Sequence, residues 1–200
     1  MKNAIPFEIA SLYLYNNKGF LDFLQELPSI DIRMSQESRF LNNIIVAEDS
    51  LVFYNEKLLW MCSRDLKQTH LGDIGKFEEY FKRFEITKKE FVNFLFEKEF
   101  SDNLMEMFID GEYIYDYFED QLIYGTQLNF SQEYEKIIRN DDIKIIDAKM
   151  QPLNISSSIT LRNENIIEFN NKNNVNENVY ILYIISKYIM NYLQIKDDIK

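Results

Sequence analysis

The hydrophobic period changes along this chain in no regular order, and that limits the folds open to it. Between residues 42 and 63, "NNIIVAEDSLVFYNEKLLWMCS" is rich in Val, Ile, Phe, Tyr and Trp, with turn-like breaks near "EDS" and "YNEK". This predicts a meander of three short strands. Strand-type runs return at "DIKIIDAK" (142–149), "LNISSSITL" (153–161) and "NIIEFN" (165–170). Helical spacing fills the remaining intervals. Pro6 suits a first helical position before "FEIASLYLY", and "FLDFLQEL" (20–27) stops before Pro28, so two short helices are expected first. "IGKFEEYFKRF" (74–84) predicts another, and Thr87 with Glu90 reads as a capping box opening "KKEFVNFLFEKEF". Ser131 can start "QEYEKIIR", and the Asn-rich loop "NNKNNVNEN" (170–178) leads into an apolar last helix over 179–195. Helical and strand segments without regular βα alternation favour α+β over a doubly wound parallel sheet. The expected architecture is one α+β domain over residues 1–200. It has short N-terminal helices, small antiparallel strands, central acidic helices, C-terminal strands and a buried last helix.

Two hundred residues, 46% of them apolar and including 16 Phe and 13 Tyr, are enough for a packed core and argue against disorder. Lys2 and Asn3 lead into Pro6 and Glu8 with no apolar run, so no export signal is expected. Cys62 is the only cysteine and has no internal disulfide partner, which suits a reducing compartment; a cytoplasmic location is expected. The apolar stretch 179–195 is interrupted by Ser186, Lys187, Asn191 and Gln194 and falls short of a membrane span.

Net charge is −11, from 33 acids against 22 bases, and its placement matters more than its size. Residues 99–135 hold ten acids and no base, whereas the other 163 residues carry 23 acids against 22 bases. Such a negative surface argues against direct nucleic-acid binding, which needs cations to displace counterions, and suits a basic protein partner. Within "DGEYIYDYFEDQLIYG" (110–125), helical geometry places Glu112, Asp116, Glu119 and Asp120 in one stripe about 100° wide. Ile114, Tyr117, Phe118, Gln121 and Leu122 fall on the opposite face, while Tyr113 and Tyr115 border the acids. Asp110 is a plausible N-cap and Gly125 sits just past the expected C-terminus. The preceding stretch repeats the pattern: Glu99, Asp102, Glu106 and Asp110 group together opposite Leu104, Met105, Met107, Phe108 and Ile109. Solvated helices normally mix Lys with Glu, as "EKEF" and "YFKRFE" do, and tyrosine is enriched at protein interfaces. Asp102, Glu106, Asp110, Glu112, Tyr113, Tyr115, Asp116, Glu119 and Asp120 are therefore the candidate partner-binding residues.

Signatures of catalysis are sparse. Five glycines form neither a P-loop nor a GxGxxG, and His70 alone cannot supply HExxH or a His/Cys zinc cluster. "DDIKIIDAK" contains Asp142-x-Lys144 and Asp147-x-Lys149. An acid-x-lysine pair with a further acid upstream resembles the core motif of metal-dependent nucleases of the restriction-endonuclease type. That resemblance implies Mg²⁺ held by the acids and a lysine supporting the attacking water. The acidic neighbourhood would repel a nucleic-acid substrate. No cofactor or metal is expected on the leading interpretation. That interpretation is a non-enzymatic immunity or inhibitor protein, which neutralises a basic partner such as a nuclease toxin or a nucleic-acid-binding defence enzyme. Its carboxylates would stand in for phosphates, as in a nucleic-acid mimic. The alternatives are a Mg²⁺-dependent nuclease or phosphoryl-transfer enzyme, and an assembly adaptor using the C-terminal helix.

Overall fold

A computed structural model describes residues 6–15, 43–47, 50–54, 57–64, 81–83, 87–98, 100–112, 114–162, 166–171 and 174–198. The fold is mixed α+β with antiparallel pairing. The chain divides into two compact units, residues 1–84 with 171–200, and residues 85–170.

The first unit contains β1 (Ile9–Tyr15), β2 (Asn43–Ala47), β3 (Ser50–Tyr54), β4 (Leu58–Ser63) and β5 (Phe81–Arg83). Strand order is β2-β3-β4-β1, and β5 pairs with β1. The meander of three strands over 42–63 forms as its composition predicts. The expected first helix does not: "IASLYLY" is a strand in register with β4, from Ile9 opposite Ser63 to Leu14 opposite Leu58. Its sequence alternates, with Ala10, Leu12 and Leu14 on one parity and Ser11, Tyr13 and Tyr15 on the other. That period of two, together with a buried neighbour needing a partner, overrides the helical reading. The expected helix over 74–84 fails at its end, where Phe81–Arg83 pairs with Tyr13–Tyr15; residues 74–80 and the second expected helix (20–27) lie outside the described residues.

Every residue of β4 is buried. Trp60 lies between Leu12 of β1 and Phe53 of β3, and the Phe53 ring meets Phe7 at 5.7 Å between centroids. The unit's last element, α4 in the helix series, runs from Val175 to Asp198 and so begins inside the expected Asn-rich loop. Ile181, Leu182, Ile185 and Ile189 recur at helical spacing and are fully buried. Ser186 on this helix takes a hydrogen bond from Trp60 Nε1 at 2.6 Å and donates its own proton to the Leu182 carbonyl at 2.7 Å. The indole donor is thus satisfied inside an apolar core, as burial requires. Among the described residues no helix is long and apolar enough to cross a membrane.

The second unit contains α1 (Lys88–Glu97), β6 (Asn103–Asp110), α2 (Ile114–Tyr117), β7 (Leu122–Tyr124), a 3-10 turn (Leu128–Phe130), α3 (Gln132–Arg139), β8 (Lys144–Gln151), β9 (Ile159–Arg162) and β10 (Ile166–Phe169). Its strands follow the order β10-β9-β8-β6-β7, all antiparallel. The capping box at α1 forms as predicted: Thr87 Oγ1 accepts from Glu90 N–H, and Glu90 Oε2 accepts from Thr87 N–H. Ser131 caps α3 by accepting from Tyr134 N–H. The strand predicted over 153–161 is shorter, since only Ile159–Arg162 pairs.

Two irregularities shape β6 and β8. The register steps from Leu104–Met150 to Glu106–Lys149, leaving Met105 as an extra residue, and from Phe108–Asp147 to Ile109–Ile145, leaving Ile146 as another. Each displaced carbonyl finds a donor: Met105 O accepts from Gly125 N–H, and Ile146 O accepts from Lys88 Nζ. Lys89 Nζ reaches the Asn140 carbonyl at 2.5 Å. Lysines in a first helical turn oppose the helix dipole. Here those two bonds tie the start of α1 to the β8 region, and partial burial lowers both amine pKa values.

Ser186→Ala leaves the buried Trp60 N–H without its acceptor, and we expect a loss of about 1–3 kcal/mol in chemical denaturation; an unchanged midpoint would refute that role. Tyr134 gives a second expectation. Its ring meets Phe96 edge-on, its hydroxyl is buried without a hydrogen-bond partner among the described residues, and burial, helped by Glu97, pushes its pKa to about 12. The folded-state value lies above the ordinary 10.0, so the associated stability is present below about pH 10 and is lost as pH rises towards 12. Tyr134→Phe should cost less than about 1 kcal/mol at neutral pH and flatten the alkaline fall, measured by denaturation at successive pH values.

Candidate interaction surface

The acids expected to bind a partner all fall in the second unit, but they are not arranged as one helical stripe. Residues 103–110 are strand β6 and only Ile114–Tyr117 is helical, a single turn. Helical spacing misled here because the bulge at Met105 separates buried Leu104 and Met107 by three residues, a step that imitates a helix. From Met107 onward the alternation is plain. Met107 and Ile109 are buried, while Glu106, Phe108 and Asp110 have the opposite parity and face outward.

Pairing extends that outer face across neighbouring strands. Tyr124, Glu106 and Lys149 are in register across β7, β6 and β8, as are Leu122, Phe108 and Asp147, and Asp110 stands opposite Lys144. Asp102 is exposed immediately before β6. Asp110 does not cap a helix; its Oδ1 accepts from Gly111 N–H at 2.9 Å at the end of the strand. Glu112, Tyr115, Asp116, Glu119 and Asp120 are exposed on the connection from β6 to β7, and Asp120 Oδ1 accepts from Leu122 N–H at 3.3 Å. Tyr113 lies outside the described residues. Ile114 and Phe118 anchor the connection as a buried pair four residues apart, joined by Phe118 N–H to Ile114 O. Gly125 follows a strand rather than a helix.

Tyr117 and Leu122, expected on the buried side, are exposed, and with them a second property of this region emerges. Among the described residues eight large hydrophobic side chains are exposed, and six of them lie in the base-free segment: Phe108, Tyr115, Tyr117, Leu122, Tyr124 and Phe130. Tyr124, Phe130 and Tyr115 are 76%, 75% and 70% exposed. Sequence reasoning missed Phe108, Tyr117, Leu122, Tyr124 and Phe130. The signal for Phe108 was present, since it shares parity with Glu106 and Asp110. None of the acids between 102 and 120 forms an ion pair with a described residue. Lys144 and Lys149, although opposite Asp110 and Glu106, do not close onto them.

The acid-x-lysine pairs have other surroundings. Asp142 lies in the turn before β8 rather than on the strand, its N–H donating to Asn140 Oδ1. Asp147 accepts from Arg162 Nη1 at 2.7 Å, and Arg162 Nε donates to Glu168 Oε2 at 2.6 Å. Hydrogen bonding to Glu168 and then Asp147 raises the guanidinium pKa against the opposing effect of burial. Cys62 is buried, which pushes its thiol pKa well up and leaves it a poor nucleophile. His70 lies outside the described residues.

Gly111 fixes where the acidic connection leaves the sheet. A Cβ there would sit 2.8 Å from the Asp142 carbonyl oxygen, too close for any flexible side chain to relieve. Gly111→Ala should therefore destabilise the chain by about 1–3 kcal/mol through overpacking, read as a lower denaturation midpoint. No family model, curated protein or solved structure matches this chain, so its function is read from its own geometry.

Proposed function

We propose that this chain is a non-enzymatic binding protein that neutralises a basic partner, an immunity or inhibitor protein acting in the cytoplasm. The observation that carries the reading is coincidence. The segment with no base over 37 residues also holds most of the exposed large hydrophobic side chains described. Exposed tyrosine and phenylalanine supply contact area that loses little rotamer entropy on binding, and the surrounding acids supply the field that selects and steers a cationic partner. A nuclease toxin or a nucleic-acid-binding defence enzyme has such a cationic surface, and carboxylates spaced along this edge can occupy the places of phosphates. The single buried cysteine suits a reducing compartment.

The test begins with tagged protein in native lysate, washed at low and high salt, with retained proteins identified by mass spectrometry. Glu112, Asp116, Glu119 and Asp120 are exposed, so replacing all four by lysine should preserve the circular dichroism spectrum. Association with the retained basic protein should slow at least tenfold, about 1.4 kcal/mol in the barrier. An unchanged association rate would return these acids to an ordinary solvated surface.

A further inference from the structure

The hydrogen bonds around β7 fix which of its backbone groups are used. Ile109 N–H donates to Gln121 O at 2.9 Å, and Gly125 N–H to Met105 O at 3.0 Å. With Met107 opposite Ile123, these make 105–125, 107–123 and 109–121 the hydrogen-bonded pairs. Leu122 and Tyr124 occupy the alternate positions, so their N–H and C=O groups point away from β6. β7 ends the strand order of its unit, and among the described residues nothing pairs with that outer edge. Asp120 covers only the Leu122 N–H. Among the described residues the Leu122 carbonyl and both backbone groups of Tyr124 have no partner, beside the exposed side chains of Leu122, Tyr124 and Phe108.

We infer that β7 is a docking edge onto which a basic, extended segment of the partner adds as a further strand. The inference rests on the proposed acidic binding surface and gives it a mode. Main-chain bonds to Tyr124 and Leu122 would set the register, and apolar side chains of the added strand would lie along Leu122, Tyr124 and Phe108. Its Lys and Arg side chains would face Glu106, Asp116 and Asp120. An open edge ordinarily invites a second copy of the same chain. Two copies would bring these unpaired acids against each other, so the charge that recruits a basic strand also opposes self-pairing.

The discriminating substitution is Tyr124→Pro, compared with Tyr124→Thr. Proline removes the outward N–H and no bond to β6, a placement that edge strands tolerate, whereas threonine removes the ring but keeps the donor. The probe is an end-blocked peptide of valine, threonine and lysine, titrated at low salt, with the glutamate version as control. Strand addition predicts salt-sensitive binding of the lysine peptide, weakened severalfold by Tyr124→Thr and at least about tenfold further by Tyr124→Pro. In the unsubstituted protein, the peptide should also slow exchange of the Tyr124 amide. Equal affinities of the two variants, or an unprotected Tyr124 amide, would overturn strand addition. If the four-lysine variant lost binding at the same time, the acidic surface would still stand. A lysine peptide that binds no better than its glutamate control would overturn both.

Discussion

Strand β6 pairs with β8 on one side and β7 on the other, and its one-sided burial is the constraint on which the exposed surface depends. Leu104, Met107 and Ile109 are fully buried, each contributing about 1.5–3 kcal/mol by leaving water. A register slip by one residue would exchange them for Glu106, Phe108 and Asp110, placing two carboxylates in an apolar interior. That alternative costs far more than the strand could recover, so the acids and Phe108 are held outward by the same packing that holds the unit together. The surface is therefore held in place at β6, even though its charges form no ion pair among the described residues.

Acids that form no ion pair among the described residues carry a cost that the fold meets by geometry. Along a strand, residues of one parity stand farther apart than successive acids on a helix face, and the remaining acids are spread over an exposed connection. Water and salt screen such charges over about 8 Å at physiological ionic strength. Three bases of the second unit are engaged elsewhere. Arg162 bridges Asp147 and Glu168, while Lys88 and Lys89 bind backbone carbonyls freed by the bulge and the turn. Lys144 and Lys149 stand in register with Asp110 and Glu106, yet among the described residues they form no ion pair with them.

Much of this was legible wherever a signal is local. Thr87 with Glu90 and Ser131 with Tyr134 are caps that a few adjacent residues decide, and both form. The meander over 42–63 and the strands β8 and β10 were legible from their β-branched and aromatic content. The failures share one cause, a pattern whose meaning depends on a distant strand. "IASLYLY" becomes β1 because β4 is buried and needs a neighbour, and Phe81–Arg83 becomes β5 because β1 is there to pair with. In β6 the extra Met105 shifts parity by one residue, and only the position of β8 reveals it. The candidate site inherited that error. Composition marks its acids and the edge of the expected stripe marks Tyr115, but a helical reading puts Phe108, Tyr117 and Leu122 on an opposite face that does not exist.

The same dependence decides what the acid-x-lysine motif can mean. Alternation does place Asp147 and Lys149 on one face of β8, as a nuclease-like reading requires. Yet Asp147 shares that face with Arg162 from β9, which reaches on to Glu168 from β10. A forked guanidinium between two carboxylates is a complete arrangement, with each oxygen-bearing group already answered by a donor. It links three adjacent strands across their outer face. Among the described residues, the acids of β6 and the β6–β7 connection have no such cation. Among the described residues, then, the carboxylates of these strands sort into those that tie strands together and those without an ion pair, and the latter are found where aromatic side chains and edge backbone groups are exposed as well.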